Sequence, residues 1–288
     1  MTSALDARQS QAAAWLVAGI RGLHDDAARQ RFLEDVWRNR EMVRELTSGF
    51  EVFEKDSLPI FLLGGPSRDK VVVVAVNPGE SLDGEQEQAR RLDFYRSLHE
   101  NAFVEIPRLL AAARVRARGT PEARGIKSTS PFWGALHRCV SIFAGNGDVP
   151  AGAAERWRYY ARTCVVQDLI PFHSRSAKDI PLSPTGPLGE IATAAFDGIA
   201  TSQARCALVA SRQGYRLLEC WAARHGIRPR YFTVEGQTRK GKQRRVQAFT
   251  TELGRLRVVA IDNALVTQPT FPWAAGYREQ LAEAVQGW

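Results

Sequence analysis

The stretch Val71–Ser81, VVVVAVNPGES, constrains the fold more than any other part of the chain. Five valines and one alanine run from Val71 to Val76 and stop abruptly at Asn77-Pro78-Gly79. The run is too short for a helix and reads as a strand buried on both faces, the pattern of a parallel sheet. Pro78 cannot continue a sheet ladder, and Gly79 permits close backbone approach, so the turn falls at the strand's carboxyl end. In open α/β sheets ligands bind at that end. Asn77 then stands at the mouth of a crevice, or it is the structural residue of a tight βα turn.

The rest of the chain fits the same architecture. Within residues 4–50, Ala12–Ile20 and Phe32–Leu46 carry apolar positions at helical spacing, which predicts two or three helices with Trp15 and Trp37 turned inward. Ile60–Leu63 reads as a short edge strand ahead of the central one. Helical turns are expected over Leu92–Leu98, Phe103–Ala113, 132–142 and Glu155–Arg162. Further strands are expected at Cys164–Ile170, Cys206–Ala210 and Arg230–Val234, with Val246–Leu253 and Leu256–Ile261 paired about Gly254. Ser211 suits the N-cap of a helix reaching about Arg224, and Tyr277–Val285 closes the chain as another helix. Strands alternating with helices predict an α/β fold with a mainly parallel sheet covered on both faces. Residues 1–55 are expected as a helical extension packed on a main domain at 56–288.

Composition narrows the partners. The 288 residues are 44% hydrophobic, enough for a sizeable core. Lys and Arg number 39 against 31 Asp and Glu, and the net charge of +8 favours an anionic partner. No run of 18 apolar residues occurs, and MTSALDARQSQ lacks a basic-then-apolar signal pattern, so a soluble, cytoplasmic protein without a membrane partner is expected; a monomer is the expected state. The four cysteines form no CxxC pair and the five histidines show no ligand spacing, so neither a metal nor disulfides are expected.

Three strand ends set a polar residue beside proline: Asn77-Pro78-Gly79, Asp168-Leu169-Ile170-Pro171-Phe172 and Gln268-Pro269-Thr270. In this order the sequence resembles the uracil-DNA glycosylase superfamily. VVAVNPG is similar to the first motif of its mismatch-specific and single-strand-selective branches. VVQDLIPF resembles the strand that reads the base, VTQPTFP stands where the family carries a His-Pro-Ser or Asn-Pro-Ser loop, and SPFW at 130–133 resembles a helix start between the first two motifs. The resemblance covers about residues 60–285. It implies a three-layer α/β/α sandwich that hydrolyses a base–sugar bond in DNA without a cofactor.

The chemistry of the residues agrees with that implication. The enzyme must extrude a nucleotide into a pocket, at a cost of about a few kcal/mol. It must also orient water at the sugar carbon, stabilise charge on the departing base and read the base edge. Asn77 would position the water; an amide is no strong base, so such an enzyme should be slow. The backbone around Pro78 and Gly79 would face the base, Gln268 would donate to a base carbonyl or to phosphate, and Thr270 to phosphate. Phe94 or Tyr95 would supply a stacking face, core packing being the alternative for both. His173 would meet phosphate or the leaving group, or serve as a structural histidine. Arg239, Lys240, Lys242, Arg244 and Arg245, with the basic loop Arg114–Lys127, suit the DNA backbone unless they only solvate a surface. No lysine lies in the three motifs, so a monofunctional glycosylase without a Schiff-base lyase step is expected.

Two positions depart from the family. Gln268 replaces its His or Asn. Asp168 stands where Asn is expected, and an ionised carboxylate only accepts hydrogen bonds, which suits the exocyclic amine of cytosine. Cytosine's ring nitrogen is itself an acceptor, so the second oxygen needs a proton or a water, and burial would favour the proton. Removing ordinary cytosine from the host genome would be lethal, so the implied target is a modified cytosine, as in foreign or phage DNA. Asp168 as a helix cap or an arginine partner is the structural alternative. Excision of uracil in base-excision repair, a DNA-binding protein without catalysis on the same fold, and a hydrolase of free nucleosides are the competing functions.

Overall fold

The computed structural model describes residues 4–55, 57–78, 85–116, 136, 140, 152–174, 177–209, 211–237, 243–262, 280–281 and 283–284. Three helices open the chain: α1 (Ala4–Arg21), α2 (Asp26–Arg38) and α3 (Arg40–Ser48). Asp25 starts α2 by accepting the Ala28 N–H at 2.7 Å, and Asn39 separates α2 from α3 within the stretch that reads as one helix in the sequence. Then follow β1 (Leu62–Leu63), β2 (Val71–Ala75), α4 (Glu85–Ala89), α5 (Leu92–Glu100), α6 (Ala102–Arg116), α7 (Ala153–Thr163) and β3 (Cys164–Asp168). The remaining elements are α8 (Pro187–Ala200), β4 (Cys206–Val209), α9 (Arg212–Arg224), β5 (Arg230–Gln237), β6 (Gln243–Leu253) and β7 (Leu256–Ile261).

The seven described strands form one sheet in the order β1-β3-β2-β4-β7-β6-β5. β3, β2, β4 and β7 are mutually parallel and central; β1 pairs antiparallel on one edge, and β6 and β5 add antiparallel strands on the other. Gly254, at φ +61, makes the turn between β6 and β7, and a Cβ there would come within 2.6 Å of the Ala200 carbonyl oxygen.

The uniform valine run of β2 has a direct cause: alternate residues enter two different cores. Val72 and Val74, with Val165, Ala207, Val209 and Val258, meet α1, α2, α3, α8 and α9. Val71 and Val73, with Cys164, Val166, Cys206, Leu208 and Val259, meet α6 and α7 on the opposite face. The chain is therefore a three-layer α/β/α sandwich, and the N-terminal helices belong to one of its outer layers. The connection leaving β2 runs through α6 and α7 on one face, whereas that leaving β3 runs through α8 on the other. Neighbouring strands whose connections part in this way open a crevice between their carboxyl ends.

Candidate active site at the ends of β2 and β3

The register places Ala75 of β2 directly opposite Asp168 of β3. Asn77 follows two residues beyond Ala75, half-buried, and its Nδ2 donates to Ser174 Oγ at 3.0 Å. Ser174 is fully buried and fixed by a bridge to Phe53. The segment carrying it is held along its length: Ile60 N–H donates to the Pro171 carbonyl at 2.8 Å, Glu54 N–H to the His173 carbonyl at 3.0 Å, and the Phe53 and Phe172 rings lie 5.2 Å apart. Phe53, Glu54 and Ile60 thus hold the loop beyond β3 against the end of β2. With its nitrogen engaged by Ser174, the Asn77 amide has its carbonyl oxygen to accept from a water or a sugar hydroxyl.

Asp168 is only 3% exposed, and neither carboxyl oxygen has a hydrogen-bond partner among the described residues. Burial pushes its carboxyl well above the usual carboxylate range, and the nearby charge of His173 offsets this only in part. His173 is equally buried, its Nε2 lying 3.4 Å from Oε1 of Glu85. Glu85 opens α4 and is itself buried; the far end of that helix is fixed by Trp37, whose Nε1–H donates to the Ala89 carbonyl at 3.2 Å. Asp168, His173, Ser174 and Glu85 thus form a buried polar cluster, which the half-buried Asn77 joins through Ser174. Buried polar groups are nearly always satisfied, so an acid with two unpartnered oxygens makes Asp168 the candidate ligand-binding group of the cluster.

Other sequence candidates fall differently. Tyr95 is a core residue rather than a stacking platform: it is fully buried, its hydroxyl donates to the Pro59 carbonyl at 2.9 Å, and its ring meets His99 edge-on at 4.8 Å. Phe94 is half-buried against both cores, and Pro78 is half-buried beside Asn77. His173 is too deep to meet a backbone phosphate on the surface. Arg245 is exposed on β6 and ion-pairs with Glu235 of β5 at 2.7 Å; Arg244 stands beside it, opposite Gly236. Gly79, Gln268, Thr270, Arg239, Lys240 and Lys242 lie outside the described residues, as do 117–127 of the basic loop.

The hairpin has a position the sequence alone does not give. Ala248 of β6 pairs with Ile261, the last residue of β7, so residues 243–247 extend beyond the carboxyl end of β7. Five residues of strand span about 17 Å. Arg244 and Arg245, the last two residues of the basic run, therefore lie on an arm that projects past the same sheet edge as Asn77 and Asp168.

Glu85 and Ser174 escaped sequence reasoning. Glu85 sits among other charged residues in GESLDGEQEQA with nothing to mark its burial, and Ser174 only follows His173 in the chain. No group of His, Cys, Asp and Glu among the described residues is arranged to hold a metal ion, and no described helix is long and apolar enough to cross a membrane. A shallow cavity of about 340 Å³, lined by Arg230, Tyr231, Thr233 and Gln280 among others, lies on the outer strand β5, away from the cluster. Comparison with protein-family models, curated proteins and solved structures finds no match.

Proposed function

We propose that the protein is a monofunctional DNA glycosylase that hydrolyses the N-glycosidic bond of a flipped pyrimidine nucleotide, with a modified cytosine as its target. The observation that carries this reading is Asp168: a buried acid with both oxygens unpartnered, at the end of a central parallel strand and opposite Ala75, two residues before Asn77. In its neutral form the carboxyl offers one O–H donor and one carbonyl acceptor. Those two groups meet the whole cytosine edge, the O–H donating to the ring nitrogen and the carbonyl accepting from the exocyclic amine. Asn77 orients the attacking water through its carbonyl oxygen, and the arm bearing Arg244 and Arg245 follows the phosphates of the strand from which the base is swung out.

The same neutral acid also meets a uracil edge, with its two oxygens exchanging roles. Uracil excision is therefore the second reading.

Oligonucleotides, single-stranded and duplex, each carrying one labelled cytosine, 5-substituted cytosine or uracil, separate the alternatives. The expected result is an alkali-labile site at a 5-substituted cytosine in single turnover, lost in Asn77→Ala, with Asp168→Asn shifting preference towards uracil. Strand cleavage at uracil alone supports the second reading. Binding without base release from any substrate overturns the enzymatic proposal, and a base preference unmoved by Asp168→Asn removes Asp168 from base reading.

A further inference from the structure

The β5–β6 ribbon has a polar face that folding does not use. On one side Val234, Val246 and Ala248 are buried in a core shared with Leu281. On the other, Thr233, Glu235, Arg245 and Gln247 are all exposed. The register sets these four as two cross-strand pairs, Thr233 opposite Gln247 and Glu235 opposite Arg245. Gln247 Nε2 donates to Thr233 Oγ1 at 3.4 Å, and Arg245 Nε to Glu235 Oε1 at 2.7 Å. An ion pair this exposed adds little to stability.

The ribbon is held in place around this face. Asp262 N–H donates to the Gln247 carbonyl at 2.8 Å, and the Tyr231 hydroxyl donates to Glu219 at 2.7 Å. The Gln280 amide accepts from the Glu235 N–H at 3.0 Å and donates to the Glu235 carbonyl at 3.3 Å. That amide stands where a further strand would pair, so the β5 edge is capped there and the polar face is the open surface. The register also places the face relative to Asp168. Val74 pairs with Val209 and Val209 with Ala260, so Ile261 and its partner Ala248 stand level with Ala75 and Asp168. Gln247 and Arg245 lie beyond that level. They are four strand spacings across the sheet from β3, about 19 Å.

We infer that this face enters the major groove of duplex DNA and reads sequence about five or six base pairs from the flipped nucleotide, Gln247 with Thr233 reading an A·T pair and Glu235 a cytosine. The inference rests on the proposed action on DNA. The major groove, about 12 Å wide, admits a two-stranded ribbon, whereas the A-form groove of RNA is too narrow. The Gln247 amide suits N6 and N7 of adenine, the Thr233 methyl suits the thymine methyl, and the Glu235 carboxylate accepts from the cytosine amine. Arg245 spends its Nε on Glu235 and keeps its Nη groups for phosphate, which holds the carboxylate in place. The sequence between the two strands adds Arg239, Lys240 and Lys242, the charge a polyanion calls for.

The test uses the full chain and duplex oligonucleotides bearing one 5-hydroxymethylcytosine or uracil at a fixed position between randomised flanks. Bound and free DNA are separated at constant salt and sequenced, and single-turnover base release is measured on the best and worst flanks. On one side of the fixed base, an A·T pair and a cytosine should each be enriched about fivefold or more, and the enrichment should vanish when that flank is single-stranded. Gln247→Ala should flatten the A·T preference alone and leave the salt dependence of binding and the urea midpoint unchanged. Glu235→Gln should exchange the preferred cytosine for adenine; a merely structural role would weaken binding to all sequences alike. Flanks bound without preference, a preference kept in single strands, or one that either substitution fails to move overturns the inference, while base release by the wild type leaves the glycosylase reading standing. Flank preference without base release overturns the enzymatic reading and leaves the ribbon its role. Binding to no DNA overturns both.

Discussion

Asp168→Asn exchanges one buried oxygen for nitrogen and removes a titration, and the stability of the variant relative to wild type should increase with pH. The unfolded carboxyl ionises near 3.8, whereas the folded carboxyl is held well above that by burial. Between those two points the folded state binds the extra proton, and wild-type stability falls by about 1.4 kcal/mol for each pH unit. The amide carries no such penalty. From pH 4.5 upward the advantage of the variant should therefore grow by about 1.4 kcal/mol for each pH unit over which the folded carboxyl keeps its proton, or about 3 °C in Tm per unit for a chain of this size. Other titrations common to both proteins cancel in the difference. Urea unfolding of the two proteins in parallel, in half-unit pH steps, measures it. A difference that stays flat across this range, or that widens in favour of Asp168, would show the carboxylate ionised and paired in the folded state, and the reasoning about an acid awaiting a ligand would fail.

Burial lowers both His24 and His99 to about 4. The unfolded chain takes up protons at these positions first as pH falls from 6.5, so each should remove up to roughly 3 kcal/mol of stability between pH 6.5 and 4, read from urea midpoints. Tyr95→Phe strands the Pro59 carbonyl inside the core and should cost about 1–3 kcal/mol in unfolding while leaving base release per folded molecule unchanged; a selective loss of release would restore a stacking role. Replacing both Arg244 and Arg245 by Ala should lower the slope of log affinity for DNA against log salt by roughly 2, measured by fluorescence anisotropy, and an unchanged slope would remove the arm from the interface. A chain starting at residue 56 should fail to unfold cooperatively by circular dichroism, because Val72, Val165 and Phe61 share one core with Leu16, Ile20 and Leu33; a sharp transition at the wild-type temperature would make residues 1–55 an accessory.

What the sequence reveals and what it hides follow one physical distinction. β2, β3 and β4 were legible because strands buried on both faces are dominated by apolar residues, with polar residues or proline towards and beyond their carboxyl ends. Ser211 was legible as a cap for a similarly local reason: its Oγ accepts the Gly214 N–H at 2.9 Å. The helix α8 carries no comparable signature. Nine of its residues, from Leu188 to Ile199, are buried, so it lacks the polar stripe by which a surface helix is recognised. Tyr95 and His173 show the same limit at the level of side chains. Each has a neighbour in sequence that would suit a site, but burial and partner are set by contacts with residues far along the chain, Pro59 for one and Glu85 for the other.

The long-range contacts also explain why the N-terminal segment matters to the cluster. His173 and Ser174 lie on irregular chain beyond β3, and such chain holds a geometry only where other groups restrain it. The restraints come from Phe53, Glu54 and Ile60, through a bridge and two backbone hydrogen bonds. Glu85 lies at the head of a five-residue helix, too short to be stable on propensity alone, and Trp37 of α2 closes its other end. The two segments that bring acid and imidazole together are thus fixed by the same N-terminal region that completes one face of the core. An arrangement with that many distant anchors, set against the Asp168 carboxyl group, whose two oxygens have no hydrogen-bond partner among the described residues, is expensive for folding alone. The proposed reading accounts for it, with the edge of a base as the missing partner.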